Sequence, residues 1–110
     1  FGCGGERDIE KRPKMGEVAF NNSDFTIITD DNPRREDPSK IRKSIINNNP
    51  KAIEIAGRDI AIKKAISFLK DDDVLIIAGK GHEQTQTIGI ETLPFDDVSV
   101  VKNTLESLYP

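Results

Sequence analysis

The sequence predicts an α/β domain with a mostly parallel sheet that is covered by helices. Strand-like and helix-like segments alternate along 110 residues, which is typical of layered α/β folds. The run from Val74 to Ala78 is continuously apolar, as expected for a parallel strand that is buried on both faces. The length supports one domain.

Four short segments that are rich in apolar and β-branched residues are predicted to be strands. They are Phe25 to Ile28, Ala52 to Ile55, Val74 to Ala78 and Gln86 to Ile90. The chain also opens on the glycine-rich run Phe1 to Gly5, a kind of loop that normally follows a strand. We therefore expect the first strand of the sheet to be truncated and the chain to be a fragment.

Three segments carry apolar residues at helical spacing. Ser39 to Asn47 places its isoleucines on one side, with Pro38 suited to the first turn and Asp37 to the cap. The clearest repeat is at Ile62, Ala65, Ile66 and Leu69, and a final amphipathic helix is expected after Asp97, with Val98, Val101, Leu105 and Leu108 on one side.

Composition excludes several classes of protein. The net charge of −3 lacks the basic excess of a dedicated nucleic-acid binder. No apolar run approaches the roughly 20 residues of a membrane span, and no leader resembles a signal peptide. The single cysteine cannot form an internal disulfide, which fits a reducing compartment, and one Cys with one His cannot complete a structural zinc site.

Three loops are dense in glycine and charge, and each falls where the chain leaves a predicted strand. They span residues 2–11, 30–37 and 79–83. Ligands of such sheets bind at the carboxyl ends of the strands, so these loops are the candidate site. Neither phosphate-binding motif is intact, because Arg7 replaces the third glycine of G-x-G-x-x-G and a P-loop would need Gly at Val74 and Ser or Thr at Gly81.

The loops combine cationic forks with carboxylates, which suits a zwitterionic ligand such as an amino acid. The alternative is a solvated loop surface of little energetic value. The charged and amide side chains concerned are Arg7, Arg34, Arg35, Asp31, Glu36, Glu83 and Asn32. Cys3 with His82 is more typical of a buried filler and a loop anchor than of a nucleophile and base. Lys80 stands between two glycines and is open to two interpretations, a contact with an anion or exposure to solvent.

Four stretches together resemble the C-terminal domain of the Mur ligases, over essentially the whole chain. They are Phe1 to Asp8, Lys11 to Gly16, Thr29 to Pro38 and Ala78 to Glu83. Within the family, Asp31-Asn32-Pro33-Arg34 is similar to the motif of the branch that adds meso-diaminopimelate to UDP-N-acetylmuramoyl-L-alanyl-D-glutamate in peptidoglycan synthesis.

The resemblance implies a Rossmann-like three-layer domain that forms one part, residues 1–110, of a three-domain cytoplasmic enzyme. The absent N-terminal and central domains would hold the UDP end of the substrate and most of the ATP and Mg²⁺. In the implied reaction, the D-glutamyl γ-carboxylate is phosphorylated by ATP, and the acyl phosphate is attacked by the diaminopimelate amine. This chain alone would be inactive and would supply neither catalytic groups nor metal ligands.

The resemblance also assigns residues. The implied contacts of meso-diaminopimelate are Arg7, Asp31, Asn32, Pro33, Arg34, Gly79 and Glu83. Glu6, Asp8 and Lys11 are expected nearer the nucleotide, although Glu6 stands where many relatives have Asp. Three alternatives remain open: a stand-alone amino-acid-binding module, a degenerate nucleotide-binding domain and a lysine-adding ligase, against which Arg34 argues.

Overall fold

A computed structural model describes residues 1–110 and contains four helices and four strands. The helices are α1 (Lys11–Asn22), α2 (Pro38–Ile46), α3 (Arg58–Phe68) and α4 (Asp97–Leu108). The strands are β1 (Ile27–Ile28), β2 (Ile53–Glu54), β3 (Thr85–Ile88) and β4 (Glu91–Pro94). The predicted α/β class is confirmed.

The parallel strands lie between two pairs of helices. β1 pairs with β2 in parallel, with Ile27 opposite Ile53. Helices α2 and α3 both contact β1, while α1 packs on α2 and α4 packs on α3. The most buried apolar cluster joins Ile28 of β1 to Ile41 and Ile45 of α2. The core is small, as the low apolar content of the chain requires.

The three predicted helices are confirmed, and the starts of two of them, α2 and α4, follow from side-chain caps. The Asp37 carboxylate accepts a hydrogen bond from the Ser39 backbone N–H at 2.9 Å, with Pro38 in the first turn of α2. Asp96 caps α4 in the same way through the Val98 N–H. Each cap satisfies an N–H that the helix itself leaves without a partner.

Helix α1 is an element that the sequence analysis does not assign. Its buried positions are Arg12 and Gly16 rather than a stripe of apolar side chains. No side chain caps its start at Glu10. Both of the usual helix signals are therefore missing from its sequence.

The prediction of a buried strand at Val74 to Ala78 is wrong. No strand is formed there, and Val74 and Ile76 are 84% and 79% exposed, while Leu75 and Ile77 are half-buried. Only one face of this extended segment is covered. The Ala78 carbonyl accepts a hydrogen bond from the Arg58 side chain instead of from a neighbouring strand.

The strand predicted at Gln86 to Ile90 is shorter and belongs to a hairpin. β3 ends at Ile88, and Gly89 turns the chain with a φ of 63° into β4, which pairs antiparallel to β3. A left-handed φ of this kind favours glycine. This hairpin pairs separately from the parallel strands.

One buried ion pair joins the helices to the ends of the strands. The Arg58 guanidinium of α3 lies 2.7 Å from the Asp97 carboxylate of α4, and both side chains are buried. It also donates to the Asp30 and Ala78 carbonyls, at 3.3 and 3.2 Å. Arg58 thus fixes the two backbone segments from which the second and third candidate loops emerge.

None of the four helices is long and apolar enough to cross a membrane.

Candidate functional site

The three glycine-rich and charged loops converge in the structure. We name them loop 1 (residues 2–10), loop 2 (residues 30–37) and loop 3 (residues 79–83). Loop 1 packs directly on loop 2, with the Gly5 N–H donating to the Asn32 carbonyl at 2.8 Å. A Cβ on Gly5 would overlap the Pro33 carbonyl, so only glycine allows this approach.

A second link between loops 1 and 2 is a two-pronged ion pair. Arg12, at the start of α1, donates to both carboxylate oxygens of Glu36 at 2.6 and 2.9 Å. Arg12 also donates to the Gly4 carbonyl at 3.1 Å. The hydrogen bonds from the Arg12 side chain and the Glu6 backbone lower the pKa of Glu36 to about 2. Arg12 is a supporting residue that the sequence analysis does not assign to the site, and Glu36, which the sequence analysis counts among the carboxylates open to a ligand, is paired with Arg12 instead.

Glu6 is used within the protein rather than left free for a ligand. Its carboxylate accepts from the Arg35 backbone N–H at 3.2 Å, while its own N–H donates to Glu36 at 3.0 Å. Its φ of 55° lies in the left-handed region, which is uncommon outside glycine. Glu6 therefore clamps loop 1 to loop 2.

Arg34 is held in an unusual backbone conformation by the hairpin. Its φ is 54°, and its N–H donates to the Thr87 carbonyl at 3.0 Å while its carbonyl accepts from the Gly89 N–H. Strained residues of this kind persist only where surrounding contacts determine them.

The Arg34 guanidinium is half used by the protein. Its Nη1 donates to the Gly5 carbonyl at 2.8 Å and lies 3.4 Å from the Asn32 carbonyl. Nε and Nη2 form no hydrogen bond with the protein, and neither atom is fully buried. One edge of the fork is therefore free for the two oxygens of a carboxylate.

Asn32 and Glu83 bring an amide and a carboxylate together across loops 2 and 3. The Asn32 Nδ2 donates to Glu83 Oε1 at 3.4 Å, and the Glu83 side chain is half exposed. Asp31 lies beneath them, with Oδ1 3.4 Å from the Lys80 ammonium. Pro33 is buried between the loops, and Gly79, with a φ of 103°, begins loop 3 at the surface.

Arg7 lies beside Arg34 on one side of loop 1. A Cβ on Gly4 would lie 2.9 Å from Arg34 Nη1 and 3.3 Å from Arg7 Cγ, so both side chains pass this glycine. The Arg7 side chain is exposed, and its one hydrogen bond is to the Glu6 carbonyl at 3.4 Å.

Two of the residues expected near a nucleotide are not bonded to the rest of the site. Asp8 accepts from the Glu10 N–H at 3.0 Å, a local turn before α1. Lys11 is exposed at the first position of that helix.

The Cys3 and His82 pair has little of what a nucleophile and base require. Burial raises the pKa of the Cys3 thiol, and its sulfur contacts Met15 Sδ at 3.6 Å. A raised pKa disfavours the reactive thiolate. His82 is exposed and is not among the hydrogen-bonded side chains.

The charged loops are a better candidate site than the depression of about 310 Å³ beside α4. That depression is lined by Ile77, Gly81, Asp97, Val98, Val101 and Lys102. Its one carboxylate, on Asp97, is already paired with Arg58. No group of three or more His, Cys, Asp or Glu side chains is placed to hold a metal ion.

The fold and the site together define an α/β domain with a candidate ligand-binding site. Its charged loops meet beyond the carboxyl ends of β1 and of the Val74–Ala78 segment, and they offer donors and acceptors side by side.

The chain belongs to the Mur ligase family. Residues 1–81 match the family described as Mur ligase, glutamate ligase domain. The resemblance seen in the sequence motifs is thereby confirmed.

Individual relatives extend the match to the whole chain. A protein of Rickettsia rickettsii named UDP-N-acetylmuramoyl-L-alanyl-D-glutamate--2,6-diaminopimelate ligase is 54% identical over 112 residues. A protein of the same name from Agrobacterium fabrum is 52% identical over 108 residues. A solved structure of a ligase of this name superposes with a TM-score of 0.94 at 38% identity over the whole chain.

The chain spans only part of those proteins. It covers 23% of the Rickettsia rickettsii relative, 22% of the Agrobacterium fabrum relative and 23% of the solved chain.

Proposed function

We propose that this chain is the C-terminal, amino-acid-binding domain of a three-domain ligase that adds meso-diaminopimelate to UDP-N-acetylmuramoyl-L-alanyl-D-glutamate in peptidoglycan synthesis. The relatives carry this activity in their names, and the chain spans 23% of their length. In this proposal the domain binds the incoming amino acid and directs its amine toward the activated D-glutamyl carboxylate. Orientation of that kind can contribute several kcal/mol to a rate.

The observation that carries the proposal is the free edge of Arg34 next to the Asn32–Glu83 pair. The Arg34 Nη1 lies 3.4 Å from the Asn32 backbone carbonyl, and the Asn32 side-chain Nδ2 lies 3.4 Å from Glu83 Oε1. The head of an amino acid, with one carboxylate and one ammonium, is complementary to that set. Arg34 and Asn32 would bind the distal carboxylate, and Glu83 the distal ammonium. Arg7, Asp31, Pro33 and the Gly79 backbone would complete the binding surface.

The same geometry explains a choice of diaminopimelate over lysine. Lysine has the side-chain amine but lacks the distal carboxylate. It would leave the free edge of Arg34 without an anion, next to a cationic ligand. An unpaired charge of this kind costs about 2–5 kcal/mol, which is enough for strong discrimination.

ATP and Mg²⁺ belong, in this proposal, to the other domains of the protein. They would activate the D-glutamyl γ-carboxylate of the UDP-linked substrate. Glu6 is engaged by the Arg35 backbone, so the nucleotide contacts are reduced to Asp8 and Lys11. We further propose that the ligase works in the cytoplasm, where its nucleotide substrates are available.

The experiment is a kinetic comparison in the full-length ligase that contains this chain. Arg34→Ala is expected to lower kcat/KM for meso-diaminopimelate by about 100-fold or more, because a charge-assisted contact to the carboxylate is lost. Lys63→Ala, on the exposed face of α3, is the control and should leave it unchanged. An unchanged KM for diaminopimelate in Arg34→Ala would contradict the assignment.

A stand-alone amino-acid-binding module is the second candidate, because the charged loops are all present within this chain. Calorimetry of the isolated chain separates the two. A module should bind meso-diaminopimelate tightly by itself, whereas a domain that shares its site with other domains should bind it poorly.

A further inference from the structure

Lys80 is buried deeply beneath the candidate site. Its side chain has no exposed surface, although lysine is almost never fully buried without partners. The ammonium donates to the Thr85 carbonyl at 2.7 Å and to the Asn32 side-chain oxygen at 2.9 Å. It also lies 3.4 Å from Asp31 Oδ1 and 3.9 Å from Glu83 Oε1. Every close partner is an oxygen of loop 2, of loop 3 or of the start of β3.

These contacts determine which way the Asn32 amide faces. Its Oδ1 receives two donors, the Lys80 ammonium at 2.9 Å and the Thr87 backbone N–H at 3.0 Å. Neither group can accept a hydrogen bond, so the oxygen must face inward. The Nδ2 group is consequently turned toward Glu83 and the surface. With its amide held in this way, Asn32 offers a ligand only N–H donors.

The arrangement also places Glu83 within reach of a fixed positive charge. Lys80 reaches Asp31 and Glu83 from below, and the Glu83 side chain remains half exposed above it. Burying an ammonium is costly unless it is paired and hydrogen-bonded, which the surrounding oxygens achieve. Lys80 thus connects the two loops that supply the amide and the carboxylate.

We propose that Lys80 is a positioning residue for ligand recognition: it holds Asn32 so that its N–H group faces the distal carboxylate of the amino acid. This inference rests on the proposed function. Lys80 does not touch the ligand and acts through Asn32 and, more distantly, through Glu83.

The test measures steady-state kinetics of the full-length ligase with Lys80→Met, which keeps the length of the side chain but removes its donors. The KM for meso-diaminopimelate should rise about 10- to 100-fold, the range expected when a charge-assisted hydrogen bond is lost. The KM values for ATP and for the UDP-linked substrate should stay unchanged. Lys63→Met is the matched control and should leave all three KM values unchanged.

A double-mutant cycle with Asn32→Ala separates positioning from general support of the fold. If Lys80 acts through Asn32, adding Lys80→Met to Asn32→Ala should raise the KM for diaminopimelate by much less than 10-fold. Equal fold-changes in both backgrounds would overturn the inference. So would a rise in all three KM values that follows a fall in Tm.

Asn32→Asp tests the amide orientation without removing the buried lysine. It preserves an inward oxygen for Lys80 but replaces the outward N–H group with a negative oxygen. If the N–H group faces a carboxylate, Asn32→Asp should raise the KM for diaminopimelate more than Asn32→Ala does. A KM like that of the unsubstituted enzyme would overturn the inference, even if Lys80→Met fails to fold. A ligase that does not use diaminopimelate at all would instead refute the proposed function.

Discussion

At the scale of single residues, the candidate site depends on backbone conformations that side chains do not favour. Glu6 and Arg34 both have positive φ angles, and each stands where loop 1 meets loop 2. A residue held in this region costs about 1–3 kcal/mol. The hydrogen bonds that hold them place the Arg34 side chain across Gly5, with one edge still free.

The strain at Arg34 can be separated from the role of its side chain. We expect Arg34→Gly to be as stable as Arg34→Ala, or more stable by up to about 1 kcal/mol, because glycine adopts a φ of 54° without strain. Glycine is normally the less stable of the two residues. Urea denaturation of both variants provides the comparison, and an alanine variant that is clearly the more stable would contradict the conformational argument.

The Arg12–Glu36 pair makes the stability of the loops dependent on pH. The pKa of Glu36 is lowered from 4.5 to about 2 in the folded chain. Its stabilising contribution is therefore complete above about pH 4.5 and is lost as the pH falls toward 2.

Glu36→Gln should remove this acid sensitivity. The variant is expected to lose on the order of 2 kcal/mol at neutral pH, because Arg12 loses its charged partner. Its free energy of unfolding should then decline less steeply than that of the unsubstituted chain between pH 4.5 and 2. Glu17→Gln, at an exposed position of α1 without an ion pair, should retain the original steepness. Parallel slopes for Glu36→Gln and the original chain would argue against the role of this pair.

At the scale of elements, helix α1 is attached to α2 through a glycine. A Cβ on Gly16 would overlap the Ile45 backbone carbonyl, which cannot move without disturbing α2. The close approach of the two helices replaces the apolar stripe that α1 lacks.

Gly16→Ala should therefore be destabilising, although alanine is the better helix former. The expected loss is about 1–3 kcal/mol, as for other overpacked positions. Gly57→Ala is the control, because its Cβ would meet only movable side-chain atoms of Ile60 and Asp59, at 3.2 and 3.3 Å. Thermal and urea unfolding of both variants check the contrast. A Gly16→Ala variant as stable as the original would show that α1 can shift on α2.

The helices that could be predicted are those whose own residues carry a cap or an apolar repeat. Helices α2 and α4 have side-chain caps, and α3 has a clear apolar repeat. Helix α1 could not be predicted because its buried face is an ion-paired arginine and a glycine. The Val74–Ala78 run could not be placed correctly either, since composition alone does not show whether neighbouring strands will pair with it and whether helices will cover both of its faces.

The site was predictable as a set of loops but not in its internal bonding. The motif around Asn32 and Arg34 points to loop 2 directly. The inward direction of Lys80, the engagement of Glu6 by Arg35 and the left-handed φ of Arg34 arise from contacts between residues far apart in sequence. The sequence alone therefore does not show whether Lys80 contacts an anion or is exposed to solvent.

At the scale of the whole molecule, the chain exposes an extended apolar run. Val74 and Ile76 project from the same face of their segment, and both are largely exposed. Extended segments with free backbone groups and apolar side chains promote association between chains.

The chain studied alone is expected to self-associate through this run. Light scattering should give a mass that rises above 12.2 kDa with concentration, and Ile76→Lys should bring it back toward that of one chain. Ile90→Lys, at an equally exposed position in the β3–β4 turn, is the control and should not do so. Association that persists in Ile76→Lys would place the contact elsewhere.

The buried pairing of Arg58 with Asp97 gives the last helix an influence beyond its own packing. Asp97 opens α4, and its guanidinium partner also binds the carbonyls of Asp30 and Ala78, the residues just before Asp31 and Gly79. Damage to α4 would thus be felt where the segments around Asp30 and Ala78 lead into loops 2 and 3. A chain without Asp97 would lose the ion pair that holds Arg58 against the backbone beneath the candidate site.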